Sequence, residues 1–264
     1  MPLPIAPLLF ISHGAPTFAL EPGVLGQELN MIGKSLTNIN AILVVSPHWQ
    51  TDVLEVMTTA KPETIHDFYG FPKPLYELNY PALGSPSVAS HVLDVLKQAG
   101  FQVHENNTRG LDHGAWTPLM HLLPEANLPV FQVSLPHSFD SRDSYHLGQA
   151  IAGLRSEGVL LLCSGSMTHN LSDLRLGSQG DLPYVKEFSA WVNTAIVEDR
   201  LEELLNYRQC APNALRAHPT EEHFLPLFIA LGARFANDQL EMIDGGISYG
   251  ILAMDALLWN NQNL

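Results

Sequence analysis

Histidine is unusually frequent in this 264-residue chain, with twelve copies against 13 lysines and arginines together. It is the commonest metal ligand and can exchange a proton near neutral pH. Three histidines follow apolar runs that end in loop residues: His13 in S-H-G-A-P, His48 in S-P-H-W and His169 in G-S-M-T-H-N. Two more lie where helices are predicted to begin: His113 in L-D-H-G-A-W just before one helix, and His223 in T-E-E-H-F-L-P-L near the start of another. This placement predicts one shared metal or acid/base site.

The residue types leave the kind of metal open. Two histidines and a carboxylate on one face suit an oxygen-activating iron, and Glu222 beside His223 offers that carboxylate. Three histidines with an open position suit catalytic zinc equally well. The chain lacks H-E-x-x-H, G-x-x-x-x-G-K and G-x-G-x-x-G patterns. Their absence argues against a helix-borne metalloprotease site and the common nucleotide-binding loops.

Apolar periodicity predicts the elements that must position these histidines. Strands are predicted at Leu8–Ser12, Ala41–Ser46, Val53–Thr59, Phe101–His104, Leu128–Leu135, Val159–Ser164 and Tyr249–Leu258. Helices are predicted at Ser87–Gln98, Trp116–Leu123, Ser141–Ser156, Tyr184–Leu205 and Glu222–Leu231. This alternation predicts a single α/β domain over residues 1–264, with a central mostly parallel or mixed sheet flanked by helices. Because open α/β sheets bind ligands beyond the carboxyl ends of their strands, we expect the metal site at that edge.

The largest irregular stretch, Lys61–Pro86, is rich in proline and aromatic residues. It is more typical of a functional loop than of a linker between domains. Tyr69 and Phe71 in this loop, together with Trp49, are predicted to form walls for an aromatic ring.

Composition excludes several classes of partner. The formal net charge is −14, which argues against binding to nucleic acid or to an anionic membrane surface. Two cysteines are too few for a disulfide scaffold. With no apolar run long enough to span a membrane and no signal-peptide pattern at the N-terminus, we predict a cytoplasmic protein.

Six motifs, in this order, resemble those of the LigB-type (class III) extradiol ring-cleavage dioxygenases, in the branch of the 4,5-DOPA dioxygenase extradiol-like proteins. They are I-S-H-G-A-P, V-V-S-P-H-W, T-I-H-D-F-Y-G-F-P, L-D-H-G-A-W, S-G-S-M-T-H-N-L and H-P-T-E-E-H-F-L-P-L. The resemblance covers nearly the whole chain, and six ordered motifs are a specific signal.

The resemblance implies one divalent metal ion per chain, held by His13, His48 and His223. His169 matches the acid/base residue of the family, which in some zinc-bound relatives is a further ligand. His113 matches a residue that hydrogen-bonds substrate or dioxygen. Protocatechuate-type enzymes use a glutamate as the third ligand, whereas the matching position here is His223. Fe(II) is expected for dioxygenase activity, and an all-histidine set also suits bound Zn(II).

The expected function is therefore cleavage of the aromatic ring of a DOPA-like or other small catechol with O2, in the catabolism of aromatic compounds. The partners are the catechol and O2, and the chain is expected to be a monomer or a small homo-oligomer. Two alternatives stay open: a zinc-dependent hydrolase acting on a small substrate, and a metal-binding protein without catalysis.

Overall fold

Eight strands form one sheet in the computed structural model, which describes residues 5–261. They lie in the order β4-β3-β5-β2-β6-β1-β10-β7. Their bounds are β1 Leu8–Ser12, β2 Ala41–Thr51, β3 Leu54–Met57, β4 Val103–Asn106, β5 Val130–Pro136, β6 Val159–Gly165, β7 Gln239–Ile243 and β10 Ala256–Asn260. A separate two-stranded sheet consists of β8 Ile247–Ser248 and β9 Leu252–Ala253.

The four central strands, β5, β2, β6 and β1, are parallel to one another. Every residue of β1, β5 and β6 is buried, as expected of strands covered on both faces. Antiparallel pairs join β3 to β5, β1 to β10 and β10 to β7. The sheet is therefore mixed, and the predicted α/β fold is confirmed.

Ten α-helices within residues 5–261 accompany the sheet. They are α1 Gly23–Ser35, α2 Pro86–Gln98, α3 His113–Leu122, α4 Ser141–Ile151, α5 Leu174–Gly177, α6 Pro183–Val197, α7 Leu201–Leu205, α8 Tyr207–Cys210, α9 Ala214–Ala217 and α10 Leu225–Ala233. The most apolar of them, α10, has 9 residues and all are buried. In the part of the chain that the structure describes, no helix combines the length and the apolar character needed to cross a membrane.

The single long helix predicted over Tyr184–Leu205 is wrong. The structure ends α6 at Val197 and begins α7 at Leu201. Between them Asp199 has φ +53°, and a left-handed residue interrupts the right-handed hydrogen-bond ladder of a helix.

Other predicted bounds also need correction. The helix predicted over Ser141–Ser156 is α-helical only to Ile151 and tightens to a 3-10 helix over Ala152–Glu157. The helix predicted from Glu222 begins at Leu225, which places Pro226 in its first turn, where proline is tolerated. The strand predicted over Tyr249–Leu258 is instead a turn followed by β9 and β10.

Candidate metal centre

His13 lies directly after β1, at the carboxyl end of the parallel strands. Its backbone N–H donates to the Gly165 carbonyl, 3.0 Å away, so the ladder between β1 and β6 extends to this residue. Its Nδ1 lies 2.9 Å from the Ser164 hydroxyl oxygen, and that hydroxyl donates to the Gly114 carbonyl. Because the hydroxyl proton is already engaged, the network assigns a proton to Nδ1 of His13 and a lone pair to its Nε2.

His48 lies in a bulge of β2. The register of β2 against β5 shifts beyond Val45, and Pro47 has no N–H to donate to the ladder. The prediction that this strand ends at Ser46 is wrong, because the strand resumes after the bulge and continues to Thr51. A bulge bends the strand and changes the direction of a side chain.

One carboxylate, that of Asp67, lies against two of the histidines. Its Oδ2 is 3.4 Å from Nδ1 of His48, and its Oδ1 is 3.0 Å from Nδ1 of His113. The same Oδ1 accepts the backbone N–H of His113 at 3.0 Å. With Nδ1 turned toward Asp67, the Nε2 of His48 lies 3.1 Å from the Nε2 of His13.

His113 is the first residue of α3, which begins three residues before the predicted start at Trp116. Asp112 caps the helix by accepting the N–H of Ala115 at 3.3 Å. The Asp112 side chain is fully buried, so it needs several donors to offset its desolvation. Its other side-chain donors are Ser46, Arg109 and Gln132.

His223 lies in the loop before α10, and its carbonyl accepts the Ser166 N–H at 2.8 Å. Its Nδ1 lies 3.0 Å from Oε1 of Glu222, so the network assigns the proton to Nδ1. Its Nε2 is buried and has no hydrogen-bond partner. A buried lone pair without a donor is costly, and a bound cation would relieve that cost.

His169 stacks on His223, with ring centroids 3.5 Å apart and an angle of 6° between the planes. Its backbone N–H donates to the Ala217 carbonyl at 2.9 Å, which ties its loop to the segment before His223. Imidazole lone pairs lie in the ring plane. Two parallel stacked rings therefore direct their lone pairs side by side instead of toward one point.

The structure brings all five predicted histidines into one cluster. The ring centroids of His48 lie 5.0 Å from His13, 4.0 Å from His113 and 5.0 Å from His223. His13 lies 5.6 Å from both His113 and His223. His169 joins the cluster through its stacking on His223.

The donor set fits a metal ion. Potential ligand atoms of His13, His48 and His113 lie within 4.8 Å of one another, and those of His169, Glu222 and His223 form a second such group. The structure thus groups His113 with His13 and His48, and places the expected third ligand, His223, in the adjoining group. Neighbouring nitrogens around one tetrahedral or octahedral ion lie roughly 3 Å apart at the usual metal–nitrogen distances, close to the 3.1 Å between Nε2 of His13 and Nε2 of His48. With the His48 proton on Nδ1 beside Asp67, both of these nitrogens present lone pairs that a cation can accept.

The comparisons with known proteins place this site in a family. The model of the catalytic LigB subunit of aromatic ring-opening dioxygenase matches residues 9–250. The chain belongs to the LigB family. It is 42% identical over 250 residues to 4,5-DOPA dioxygenase extradiol from Beta vulgaris, covering 91% of this chain and 93% of that protein. It is 34% identical over 252 residues to the protein of the same name from Escherichia coli K12, covering 94% and 92%.

A solved structure also resembles this LigB-family chain. The crystal structure of an uncharacterized protein from Escherichia coli K12 superimposes with a TM-score of 0.80 at 28% identity, covering 96% of this chain and 99% of that one. Together the family and its relatives confirm the predicted extradiol ring-cleaving dioxygenase, an oxidoreductase.

Burial keeps four imidazoles of this LigB site neutral, those of His13, His48, His169 and His223. Burial, and then the neighbouring imidazoles, hold the pKa of His13 and of His223 well below the ordinary histidine value. Burial also lowers the pKa of His48 and of His169 to about 4. Burial acts to raise the pKa of Asp67, but hydrogen bonding and charge from His113 outweigh it and lower the pKa to about 2. Neutral imidazoles beside an ionised carboxylate are ready to bind a cation.

Sequence reasoning missed Asp67, although the T-I-H-D-F motif contains it. Its neighbour His66 instead places Nε2 3.0 Å from the Leu78 carbonyl oxygen, a contact within the loop. Asp67 could have been found only by asking which carboxylate in the irregular loop lies near the histidines.

The three aromatic walls predicted from the sequence differ in their surroundings. The ring of Phe71 is 5.4 Å from that of Phe68, which in turn is 5.6 Å from His113. Trp49 is 5% exposed and packs under the guanidinium of Arg109. Tyr69 is 89% exposed to solvent.

Proposed function

We propose that this LigB enzyme opens the ring of a small catechol, DOPA-like or otherwise, on one Fe(II) ion held by His13, His48 and His223. The observation that carries the proposal is the 3.1 Å approach of Nε2 of His13 and Nε2 of His48, together with the buried and unpartnered Nε2 of His223. The names of the relatives, 4,5-DOPA dioxygenase extradiol, support a catechol substrate and extradiol cleavage.

A bound Fe(II) ion would supply open positions for the two catechol oxygens and for dioxygen, and would pass electron density between them. Zinc has no accessible redox state for this step, so iron is the metal that suits the reaction. In each proposed ligand ring, Nδ1, the nitrogen that does not face the metal, lies against an oxygen atom. These oxygens belong to the hydroxyl of Ser164 and the carboxylates of Asp67 and Glu222. Such contacts fix the ring orientation and increase the basicity of the ligand.

His169 is the proposed acid/base. Its stacking on His223 holds it beside the proposed metal centre, with its ring parallel to that of a proposed ligand. As a neutral base with its pKa lowered to about 4, it can accept a phenolic proton from the substrate and return it to the leaving oxygen. His113, with Nδ1 beside Asp67, is proposed to hydrogen-bond substrate or dioxygen.

Metal content and oxygen uptake test this assignment together. Fe(II)-loaded protein incubated with L-DOPA or another catechol in air is expected to consume oxygen and form a yellow semialdehyde. The variants H13A, H48A and H223A are expected to lose the metal. H169A is expected to keep the metal and to lose about 100- to 10,000-fold in turnover. H91A, on an exposed side chain, serves as the control.

Other results would overturn the proposal. Metal loss in H169A would make His169 a ligand, and metal loss in H113A but not in H223A would exchange the roles of those two histidines. Ester or amide hydrolysis by the zinc form without oxygen uptake would favour the hydrolase alternative. Tight metal binding with no turnover of any kind would favour a non-catalytic protein. The cytoplasmic location, the catabolic role and the oligomeric state stay predictions.

A further inference from the structure

An apolar cleft of about 370 Å³ is lined in part by residues that closely follow two of the clustered histidines along the chain. Its volume lies in the range of small-molecule sites and exceeds the roughly 150 Å³ that encloses a benzene ring. Its walls are Ala15, Phe71, Leu171, Leu174, Ser178, Tyr249 and Leu252.

Three walls of the cleft are continuous with the elements that carry site histidines. Ala15 is two residues beyond His13, and Leu171 is two residues beyond His169, so each wall lies within about 7 Å of its histidine along the chain. Ala253, the residue after Leu252, donates its N–H to the hydroxyl of Thr168, which directly precedes His169. The cleft is therefore built on the same segments as the proposed metal centre, within one side chain's length of it.

The cleft offers no partner for a charged group. Among the described residues, its walls carry no acidic or basic side chain. Both hydroxyls that line it are already engaged: Ser178 donates to the Arg175 carbonyl at 2.8 Å, and the Tyr249 hydroxyl lies 2.6 Å from Oγ1 of Thr17. A carboxylate or ammonium group placed here would lose its hydration without gaining a partner.

We propose that this cleft binds the ring substituent of the substrate, and that the preferred substrate is a catechol with an uncharged apolar substituent and not the zwitterionic side chain of DOPA. The inference rests on the proposed function, because it assumes that the catechol oxygens face the histidines. Leu174, on α5 at the cleft wall and 46% exposed, acts as a specificity-determining residue.

Equilibrium binding separates this inference from the catalytic proposal. Calorimetric titration of Fe(II)-loaded protein without oxygen compares 4-methylcatechol, 4-propylcatechol and L-DOPA. Since each buried methylene strengthens binding about fourfold, 4-propylcatechol is expected to bind about 15-fold more tightly than 4-methylcatechol. L-DOPA is expected to bind more weakly than either. Oxygen uptake in air then gives kcat/KM for the same three compounds.

The matched variants are L174K and L176K. Both side chains belong to α5 and are about equally exposed, at 46% and 50%, but only Leu174 lines the cleft. L174K is expected to weaken 4-propylcatechol binding at least tenfold relative to L-DOPA, and L176K to change neither affinity.

Four results would contradict the inference or its basis. Equal affinities for the methyl and propyl compounds, or tighter binding of L-DOPA, would overturn the assignment of the cleft while leaving ring opening intact. An L174K variant that keeps the wild-type preference would do the same. Absence of oxygen uptake with all three catechols would instead overturn the proposed function and with it this inference.

Discussion

At the scale of single residues, the groups behind the histidines decide which nitrogen of each ring faces the cluster. Ser164 accepts from Nδ1 of His13, and Glu222 lies at Nδ1 of His223. Asp67 is unusual because its one carboxylate lies against Nδ1 of both His48 and His113. The orientation of the proposed metal-binding nitrogens therefore depends on a few neutral or anionic acceptors.

Replacing Asp67 with asparagine is expected to weaken Fe(II) binding. The variant D67N keeps the shape of the side chain but removes the charge and one acceptor oxygen, so the ring of His48 is held less firmly. Loss of such a contact costs about 10- to 100-fold in metal affinity or activity. Competition with a coloured chelator measures the affinity. The same exchange at the exposed Asp52 is the control, and an unchanged affinity in D67N would refute the role of this carboxylate.

The stability of the metal-free protein is expected to fall as the pH is lowered from 7 to 5. Five histidines have strongly lowered pKa values: His13, His48, His169, His218 and His223. Their unfolded pKa is about 6.5, so near pH 5.5 the unfolded chain binds roughly four more protons than the native protein. The stabilisation is therefore complete above the unfolded pKa and is lost as the pH falls.

Urea unfolding at several pH values measures this effect through the unfolding free energy. H169N, which removes one of the five titrating groups, is expected to reduce the slope by about a fifth. An unfolding free energy that is constant between pH 7 and 5 would contradict the prediction.

The site residues differ in how far sequence alone could identify them. The five histidines were predictable because each follows a strand or precedes a helix, and parallel strands end at one edge. Asp67 was not, because it lies in an irregular loop and contacts residues 19 and 46 positions away. Such contacts depend on the folded path of the loop and leave no local periodicity.

At the scale of elements, the bulge of β2 and the first turn of α3 meet at a glycine. A Cβ atom on Gly114 would lie 2.3 Å from Oγ of Ser46 and 2.9 Å from Cδ2 of His48. The close approach of these two elements sets the position of His48 beside His113.

The variant G114A is therefore expected to displace His48. Overpacking of this kind costs about 1–3 kcal/mol of unfolding free energy, and the displaced ring should also weaken metal binding. Urea unfolding and the chelator competition measure the two effects. G153A is the matched control, because nothing lies within 4 Å of a Cβ atom at that position. Equal stability and metal affinity in the two variants would argue against this packing.

Elements were predictable where burial dictates the pattern. The strands predicted at Leu8–Ser12 and Val159–Ser164 match β1 and β6 to within one residue, because strands buried on both faces are continuous apolar runs. The break between α6 and α7 was not visible, since the left-handed residue is Asp199 and not glycine. The bulge in β2 likewise follows from pairing with a distant strand.

At the scale of the whole molecule, a buried ion pair joins distant segments at the edge opposite the metal centre. Arg155 precedes β6 and makes two hydrogen bonds to Asp238, at 2.6 and 3.0 Å, with both side chains fully buried. It also donates to the carbonyls of Ala6 and Ala233. The seven residues of β6 separate this pair from the histidines, a distance of about 20 Å.

The variant R155A is expected to destabilise the protein without changing the chemistry. It leaves the Asp238 carboxylate buried and unpaired, which costs about 3–5 kcal/mol of unfolding free energy. Urea unfolding gives that cost, and kcat at low temperature is expected to stay at the wild-type value. R142A removes an exposed ion pair with Glu202 and is expected to leave the unfolding midpoint unchanged. An R155A variant that is as stable as the wild type, or one with a lowered kcat, would contradict the view that this ion pair contributes to stability and not to the chemistry.

Diffraction from crystals of anaerobically Fe(II)-loaded protein, recorded on both sides of the iron absorption edge, locates the metal directly. We expect one anomalous peak per chain, about 2.1 Å from Nε2 of His13, His48 and His223. A peak bound by His113 in place of His223, or one beyond coordinating distance of His13 and His48, would contradict the proposed centre.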